Sequence, residues 1–204
     1  MSPRASAAAL AAMLAAAIAL EPPGPALAQS QSPAISGLPP AGEAAHKAAG
    51  ELLNQLRLAK DVATAHDLEE RIWAAWMTSG NEEVDGLVRQ SVELMQTGQF
   101  DDALATLDTV VRKLPGYAEG WNKRATLLYE MKEYDRSMAD IAKVLELEPR
   151  HFGALSGIGL INIAKGDRKG AIEAYRKVLE VDPQNAGAQI SLDLLTKAST
   201  GDPI

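Results

Sequence analysis

The sequence contains no cysteine among its 204 residues. The chain therefore has no disulfide, no thiol nucleophile and no residue that could carry the lipid of a bacterial lipoprotein. Aromatic residues make up only 4% of the chain, so a base-stacking platform for single-stranded nucleic acid is not expected. The formal net charge of −7 argues against the basic stripe of a nucleic-acid-binding surface. The composition fits a soluble helical protein that is stabilised by packing alone.

Only one stretch of the chain is long and apolar enough to suggest a membrane or export signal. Sixteen residues, Ala5 to Leu20, are apolar except for a single serine, and Arg4 precedes them. A Pro/Gly-rich break follows, and Ala26-Leu27-Ala28 then places small residues where a signal peptidase reads them. This layout predicts a cleavable signal peptide over residues 1–28, with cleavage after Ala28 and a periplasmic or secreted product. The alternative is an uncleaved anchor, for which the run is shorter than the usual ~20 residues.

The segment that follows the signal, residues 29–42, is rich in Ser, Pro and Gly. This composition predicts a disordered linker.

Three consecutive segments, 84–117, 118–151 and 152–185, repeat one another with a period of 34 residues. The matching columns hold large apolar residues at positions 4, 24 and 27, small residues at positions 8 and 20, and proline at position 32. For the second segment these residues are Trp121, Ala125, Ser137, Ile141, Val144 and Pro149. Self-similarity at a short fixed period predicts a solenoid, in which each unit buries its apolar face against its neighbours.

Each repeat is predicted to be a pair of helices. The small residues allow the two helices to approach closely, while the large ones fill the space beside them. Gly98 and Gly166 at position 15 suit a left-handed residue at the end of the first helix. Lys132 stands at the same position in the middle repeat and is expected to cost about 1 kcal/mol there. Arg124 occupies a position that is usually apolar, so it is expected to pair with an acid or to extend outwards.

The repeats are flanked by helical segments of a different kind. Residues 43–83 predict an N-terminal helical pair, which looks like a degenerate repeat and is expected to cap the first repeat. Trp73 and Trp76 lie on one face of its second helix and are expected in the core. Residues 186–197 predict a C-terminal capping helix with apolar residues at 190, 192, 194 and 195, and residues 198–204 form a tail.

The repeats resemble the tetratricopeptide repeat (TPR) family. The family pattern is read in Trp121, Ala125, Tyr134, Ser137, Ile141 and Pro149, and again in Leu155, Gly159, Ala171, Tyr175 and Pro183. The resemblance implies an all-α protein, an α-solenoid of three tandem helix–turn–helix repeats. Together with the predicted signal peptide, it indicates a small exported bacterial TPR protein.

The resemblance also implies a binding surface for a protein or peptide in the concave groove that the first helices line. Mapped onto this sequence, the candidate groove residues are Arg89, Glu119, Asn122, Lys123, Thr126, Tyr129, Glu130, Ser156 and Leu160. Leu160 and Ile163 either anchor an apolar side chain of the partner or pack against the C-terminal cap. Family members that hold a terminal carboxylate use Lys, Asn and Arg at positions 5 and 9 of the repeats, where this sequence has Val88, Val92, Ser156 and Leu160. A chaperone-tail partner is therefore not expected.

The sequence gives no enzyme signature. His66 and Glu69 are spaced for one helical face and could form half of a metal site, but no second pair of ligands is visible, so a solvated face is favoured. We therefore predict no catalytic residues, no metal and no cofactor, and we predict neither a nucleic-acid partner nor stable membrane insertion after cleavage. The leading hypothesis is a non-enzymatic scaffold or assembly factor of the bacterial envelope. The alternatives are an envelope enzyme or its regulatory subunit, and a self-associating structural protein that forms a homo-oligomer.

Overall fold

The computed structural model describes residues 37–200, with side chains described as far as Lys197. The predicted signal peptide, most of the predicted linker and residues 201–204 lie outside the described residues. The described part is all-helical and contains nine helices: α1 (Pro40–Leu56), α2 (Val62–Trp76), α3 (Glu82–Gln96), α4 (Phe100–Lys113), α5 (Ala118–Glu130), α6 (Tyr134–Leu147), α7 (Phe152–Lys165), α8 (Arg168–Val181) and α9 (Ala186–Thr200). None of them, within residues 37–200, combines the length and the apolar character that a membrane crossing requires.

The three repeats form the antiparallel pairs α3/α4, α5/α6 and α7/α8, and the second helices begin 34 residues apart, at Phe100, Tyr134 and Arg168. The turn inside each pair contains one left-handed residue. Two of these residues are glycines, as predicted, and the third is Lys132, with a φ of 63°. Since a side chain disfavours this conformation, the middle repeat carries the local strain that the sequence indicated.

Small residues bring the paired helices together as predicted. In the third repeat, a Cβ added at Gly159 would lie 2.6 Å from the ring of Tyr175 on the partner helix. In the second repeat, the Ser137 hydroxyl donates a 2.7 Å hydrogen bond to the carbonyl of Ala125. A larger side chain at these crossings would separate the helices.

Arg124 pairs with acids of both flanking second helices. Its guanidinium donates two hydrogen bonds to Asp140, of 2.7 and 2.8 Å, and a third, of 2.7 Å, to Asp108. These contacts raise the pKa of Arg124, with the Asp140 hydrogen bonds as the largest cause. Arg124 therefore links the first two repeats through charge. Of the two outcomes that the sequence predicts for it, pairing with an acid is the one observed.

The N-terminal helical pair exists but lies elsewhere than predicted. Its apolar face packs in one core cluster with Phe152 and Leu155 of α7 and with residues of α8 and α9, whereas Leu38 and Met77, which flank the pair, pack against the core of the first repeat. The expectation that this pair caps the first repeat is therefore wrong in its placement. The pair also begins earlier than predicted, since α1 starts at Pro40 within the predicted linker. Proline is well suited to the first turn of a helix.

The C-terminal helix α9 splits its apolar residues between two faces. Ala188 is buried, and Leu192 and Leu195 pack against the same core cluster. Ile190 and Leu194, in contrast, are 49% and 51% exposed. One face thus covers the end of the third repeat, and the other remains open.

Candidate functional site: the concave surface

The first helices α3, α5 and α7 contact one another in order, and we call the face that they and α9 share by the repeat register the concave surface. Helix α2 lies on part of it. Trp73 of α2 sits so close to α7 that a Cβ at Gly153 would be 2.6 Å from its ring. The ammonium of Lys123, on α5, lies 5.6 Å from the centre of the same indole. The N-terminal pair therefore fills the part of the concave surface that lies nearest the starts of α5 and α7.

A buried polar cluster lies beneath α2. The Glu119 carboxylate is 2.9 Å from the Lys123 ammonium and 3.1 Å from Nε2 of His151, and the Asn122 amide donates a 3.0 Å hydrogen bond to it. Trp76 stacks on the His151 ring at 3.9 Å between centroids. Glu119 and His151 are both almost completely buried, at 1% and 0% exposure.

Charge pairing keeps Glu119 ionised in spite of its burial. Burial by itself disfavours the carboxylate, but Lys123 and the His151 hydrogen bond outweigh it and hold the pKa of Glu119 at about 2. The backbone N–H of Ala154 donates to Nδ1 of His151, at 3.2 Å. Nδ1 is therefore an acceptor, and Nε2 carries the proton that points at Glu119. The cluster fixes the start of α7, where His151 is the N-terminal cap.

A second polar contact joins α2 to the turn between α8 and α9. The Asn185 amide nitrogen lies 3.3 Å from Glu69 and 3.0 Å from Asp182. Burial, followed by the hydrogen bond and the negative charge of Asp182, raises the pKa of Glu69 to about 9. Glu69 is therefore protonated at neutral pH, and its O–H can donate a hydrogen bond to Asp182. His66 bonds elsewhere, with Nε2 at 3.3 Å from Glu70, so His66 and Glu69 do not act as a pair.

A third contact holds α1. The Arg150 guanidinium donates a 2.9 Å hydrogen bond to Asn54, and the backbone N–H of Arg150 donates to the buried Glu148. Burial lowers the pKa of His46, although Glu148 opposes this shift. The N-terminal pair is thus fixed to the second and third repeats by both apolar packing and polar contacts.

This placement divides the predicted groove residues into two sets. Glu119, Asn122 and Leu160 are 7% exposed or less, and Lys123 is engaged by Glu119 and Trp73. These four residues are inaccessible or already occupied. The others retain exposure: Arg89, Thr126, Tyr129, Glu130 and Ser156.

Part of the concave surface remains open, and we call it the open strip. It consists of Thr126, Tyr129 and Glu130 of α5, Ile163 of α7, and Ile190 and Leu194 of α9. Ile163 is 42% exposed, whereas Leu160 is buried. The Tyr129 ring lies 5.7 Å from that of Tyr134, and this contact holds one of its faces.

Sequence reasoning missed Ile190 and Leu194 because it assigned every apolar residue of 186–197 to the cap. The repeat register contained the signal. Continued by one more period, it places Ile190 and Leu194 at positions 5 and 9, where Ser156 and Leu160 stand in the third repeat. Counting by the register therefore separates the concave face of α9 from its buried face.

The described residues of the candidate site form a contact surface. Within residues 37–197, no group of three or more His, Cys, Asp or Glu side chains is placed to hold a metal ion. Two acids with strongly shifted pKa values lie where α2 meets the repeats: Glu119 is buried beneath α2, and Glu69 lies on α2 itself, partly buried against the turn before α9. The accessible features are apolar and aromatic side chains with a few polar neighbours, which is the composition of a protein-binding surface.

Comparison with known proteins supports the repeat assignment. A family model described as tetratricopeptide repeat matches residues 88–145 and 122–186. A TPR repeat-containing protein of Rhizobium etli is 34% identical over 152 residues, which are 74% of this chain and 74% of that protein. The Hsp70-Hsp90 organizing protein of Triticum aestivum is 28% identical over 106 residues, 52% of this chain but only 18% of that protein.

The fold agrees with a solved structure of the same kind. The first TPR of Spaghetti (RPAP3), bound to an HSP90 peptide, superposes with a TM-score of 0.54 at 20% identity, over 58% of this chain and 94% of that chain. From the 34-residue register, the paired helices and these matches, we conclude that the chain belongs to the tetratricopeptide repeat family.

Proposed function

We propose that this protein is an exported, non-catalytic TPR protein that binds a segment of another protein, as a scaffold or assembly factor of the bacterial envelope. The observation that supports this proposal is the open strip. Three aliphatic side chains, Ile163, Ile190 and Leu194, are each more than 40% exposed, and the repeat register assigns them to the concave side. Exposed apolar side chains that share one surface mark an interaction site more often than isolated ones do.

The relatives favour the same class of function. The wheat relative is named for organizing Hsp70 and Hsp90, and the first TPR of Spaghetti is bound to an HSP90 peptide. An HSP90 tail itself is not proposed as the partner here, because Leu160 is buried and Ser156 donates its hydroxyl to the Phe152 carbonyl. The chemistry of the open strip favours a segment with two or more apolar side chains, which would contact the aliphatic residues and the Tyr129 ring.

The binding proposal is tested by site-specific photo-crosslinking in cells. A photo-reactive amino acid would replace Tyr129 or Leu194 in the open strip, or Ala142, an exposed residue of the second helix α6, as the control. We expect the two strip positions to capture one common protein that the control does not capture. Crosslinks to a second copy of this chain would favour self-association, and equal capture from all three positions would contradict the assignment of the strip.

The captured partner then allows a quantitative test. Leu194→Asp is expected to weaken its binding about tenfold or more, because a charge would replace an apolar anchor. Leu58→Asp is the matched control, since Leu58 is 53% exposed and Leu194 is 51% exposed, but Leu58 lies in the connection between α1 and α2. Equal affinities of the two variants for the partner would exclude the open strip as its binding site.

Export is tested separately. If the predicted signal is cleaved after Ala28, the intact mass of the protein from the cell envelope will correspond to a chain that starts at Gln29. A mass that includes Met1 would contradict cleavage and favour the anchor.

A further inference from the structure

A second concavity lies where α1, the connection between α6 and α7, and α8 meet. It encloses about 500 Å³, within the ~300–1,000 Å³ of typical ligand pockets. We call it the junction cleft, and its lining residues are Leu53, Asn54, Arg57, Pro149, Arg150, Leu155, Lys177, Glu180 and Val181. None of these residues belongs to the open strip, so the two surfaces are independent.

The cleft combines an apolar floor with a cationic rim. Leu53, Leu155 and Val181 are 9% exposed or less and form part of the core beneath it. Its lining carries three cations, at 57, 150 and 177, and one acid, at 180. This excess of positive charge stands out in a chain whose net charge is −7.

The cations differ in how they are held. Arg150 is positioned by Asn54, at 2.9 Å, and by Glu148, whose Oε1 lies 3.5 Å from its Nε. Arg57 and Lys177 are exposed, and the interactions of the described residues give neither of them a hydrogen bond or an ion pair. One fixed guanidinium and two uncommitted cations therefore border the same apolar floor.

We infer that the junction cleft binds a carboxylate at the end of an apolar chain. A guanidinium binds a carboxylate through charge-assisted hydrogen bonds, and an apolar chain gains free energy by covering the exposed Pro149 and the aliphatic stems of Arg57 and Lys177. Glu180 on the rim and Glu148 behind Arg150 favour a monoanion over a doubly charged phosphate. Such a carboxylate occurs both in a free fatty acid and in the C-terminal residue of a peptide.

The test is a titration of the purified ¹⁵N-labelled protein, followed by amide chemical shifts. The probes are octanoate, octanol, and the peptide acetyl-Ala-Leu-Leu with either a free or an amidated C-terminus. We expect octanoate or the free-acid peptide to shift the amides of Asn54, Arg150 and Lys177, and octanol and the amidated peptide to bind at least about five-fold more weakly. Binding of the free-acid peptide alone identifies a protein C-terminus as the source, and binding of octanoate alone identifies a small amphiphile.

Variants of exposed residues keep the test independent of folding. Arg57→Gln and Lys177→Gln are each expected to weaken binding of the carboxylate about five-fold, which is the size of one exposed charge contact. Lys169→Gln, at an exposed position on the same helix as Lys177, should leave it unchanged. The inference is overturned if octanol binds as well as octanoate, if no probe binds, if the shifts fall on the open strip, or if all three variants bind alike. None of these outcomes bears on the open strip as a protein-binding site.

Discussion

The contact between α2 and α7 predicts whether adding a side chain at Gly153 raises or lowers the free energy of unfolding. A Cβ at this position would lie 2.6 and 3.1 Å from two atoms of the Trp73 ring and 3.4 Å from His151. The ring cannot move away easily, because Trp76 and Phe152 pack against it edge-on at 5.3 and 5.4 Å. Overpacking of this kind costs about 1–3 kcal/mol, whereas replacing glycine by alanine in a helix gains up to about 1 kcal/mol.

Gly153→Ala is therefore expected to destabilise the protein by about 1–2 kcal/mol. In a Trp73→Ala background the obstacle is gone, and the same change should be neutral or stabilising. The free energy of unfolding would be measured for the four proteins of this cycle by urea denaturation, followed by circular dichroism at the helix band. A coupling of about 1–3 kcal/mol between the two positions is the expected result.

Gly86→Ala provides the matched control. Gly86 lies within α3, and the atom nearest to its added Cβ is the end of the Arg89 side chain, at 3.8 Å. It should therefore stabilise the protein by about 0.5–1 kcal/mol. If Gly153→Ala also stabilises the wild-type protein and shows no coupling to Trp73, the N-terminal pair does not lie on the third repeat.

Three further predictions concern the repeats and the pH dependence of stability. Gly159→Leu should destabilise the protein by roughly 1–3 kcal/mol because of its contact with Tyr175, while Lys169→Leu should stay within about 0.5 kcal/mol; equal shifts of the urea midpoint would contradict the helix crossing. Lys132→Gly should stabilise the protein by up to about 1 kcal/mol, because it removes a side chain from a φ of 63°, and a lower thermal midpoint would refute this. The pKa of Glu69 is raised from 4.5 to about 9, so the folded state binds this proton more tightly than the unfolded state does. The protonated Glu69 therefore stabilises the fold fully below pH 4.5, and this stabilisation is lost as the pH rises through about 9. Glu69→Gln should remove this decrease in stability with rising pH, as measured by urea midpoints at pH 5, 7 and 9. If the midpoints of the wild type and the variant fall equally with pH, the decrease does not come from Glu69.

The repeats could be predicted because their contacts are local in sequence. Each helical pair closes within one period, so the small residues that allow the crossing and the left-handed turn residues recur at fixed positions. Arg124 could be recognised as needing an acid because it stands at an apolar position. Its partners Asp108 and Asp140 each lie 16 residues away, within the reach of a neighbouring helix.

The candidate site was predicted only in part. The register predicts Tyr129 and Thr126 on the concave face, and both side chains are partly exposed. It gives no indication that Glu119 and Asn122 are covered, because their cover comes from a segment outside the repeats. His151 has no pattern of its own, and its role appears only when Trp76 stacks on it at 3.9 Å.

The sequence by itself determined the solenoid, its three repeats and the two helices that precede them, because period and amphipathicity are encoded locally. It did not determine where the N-terminal pair docks, since the apolar face of that pair could cover either the first repeat or the third. The contacts that fix the choice join residues far apart in the chain: Asn54 with Arg150 across 96 positions and Glu69 with Asn185 across 116. Only the tertiary structure brings these pairs together, and the same docking decides which part of the concave surface stays open to a partner.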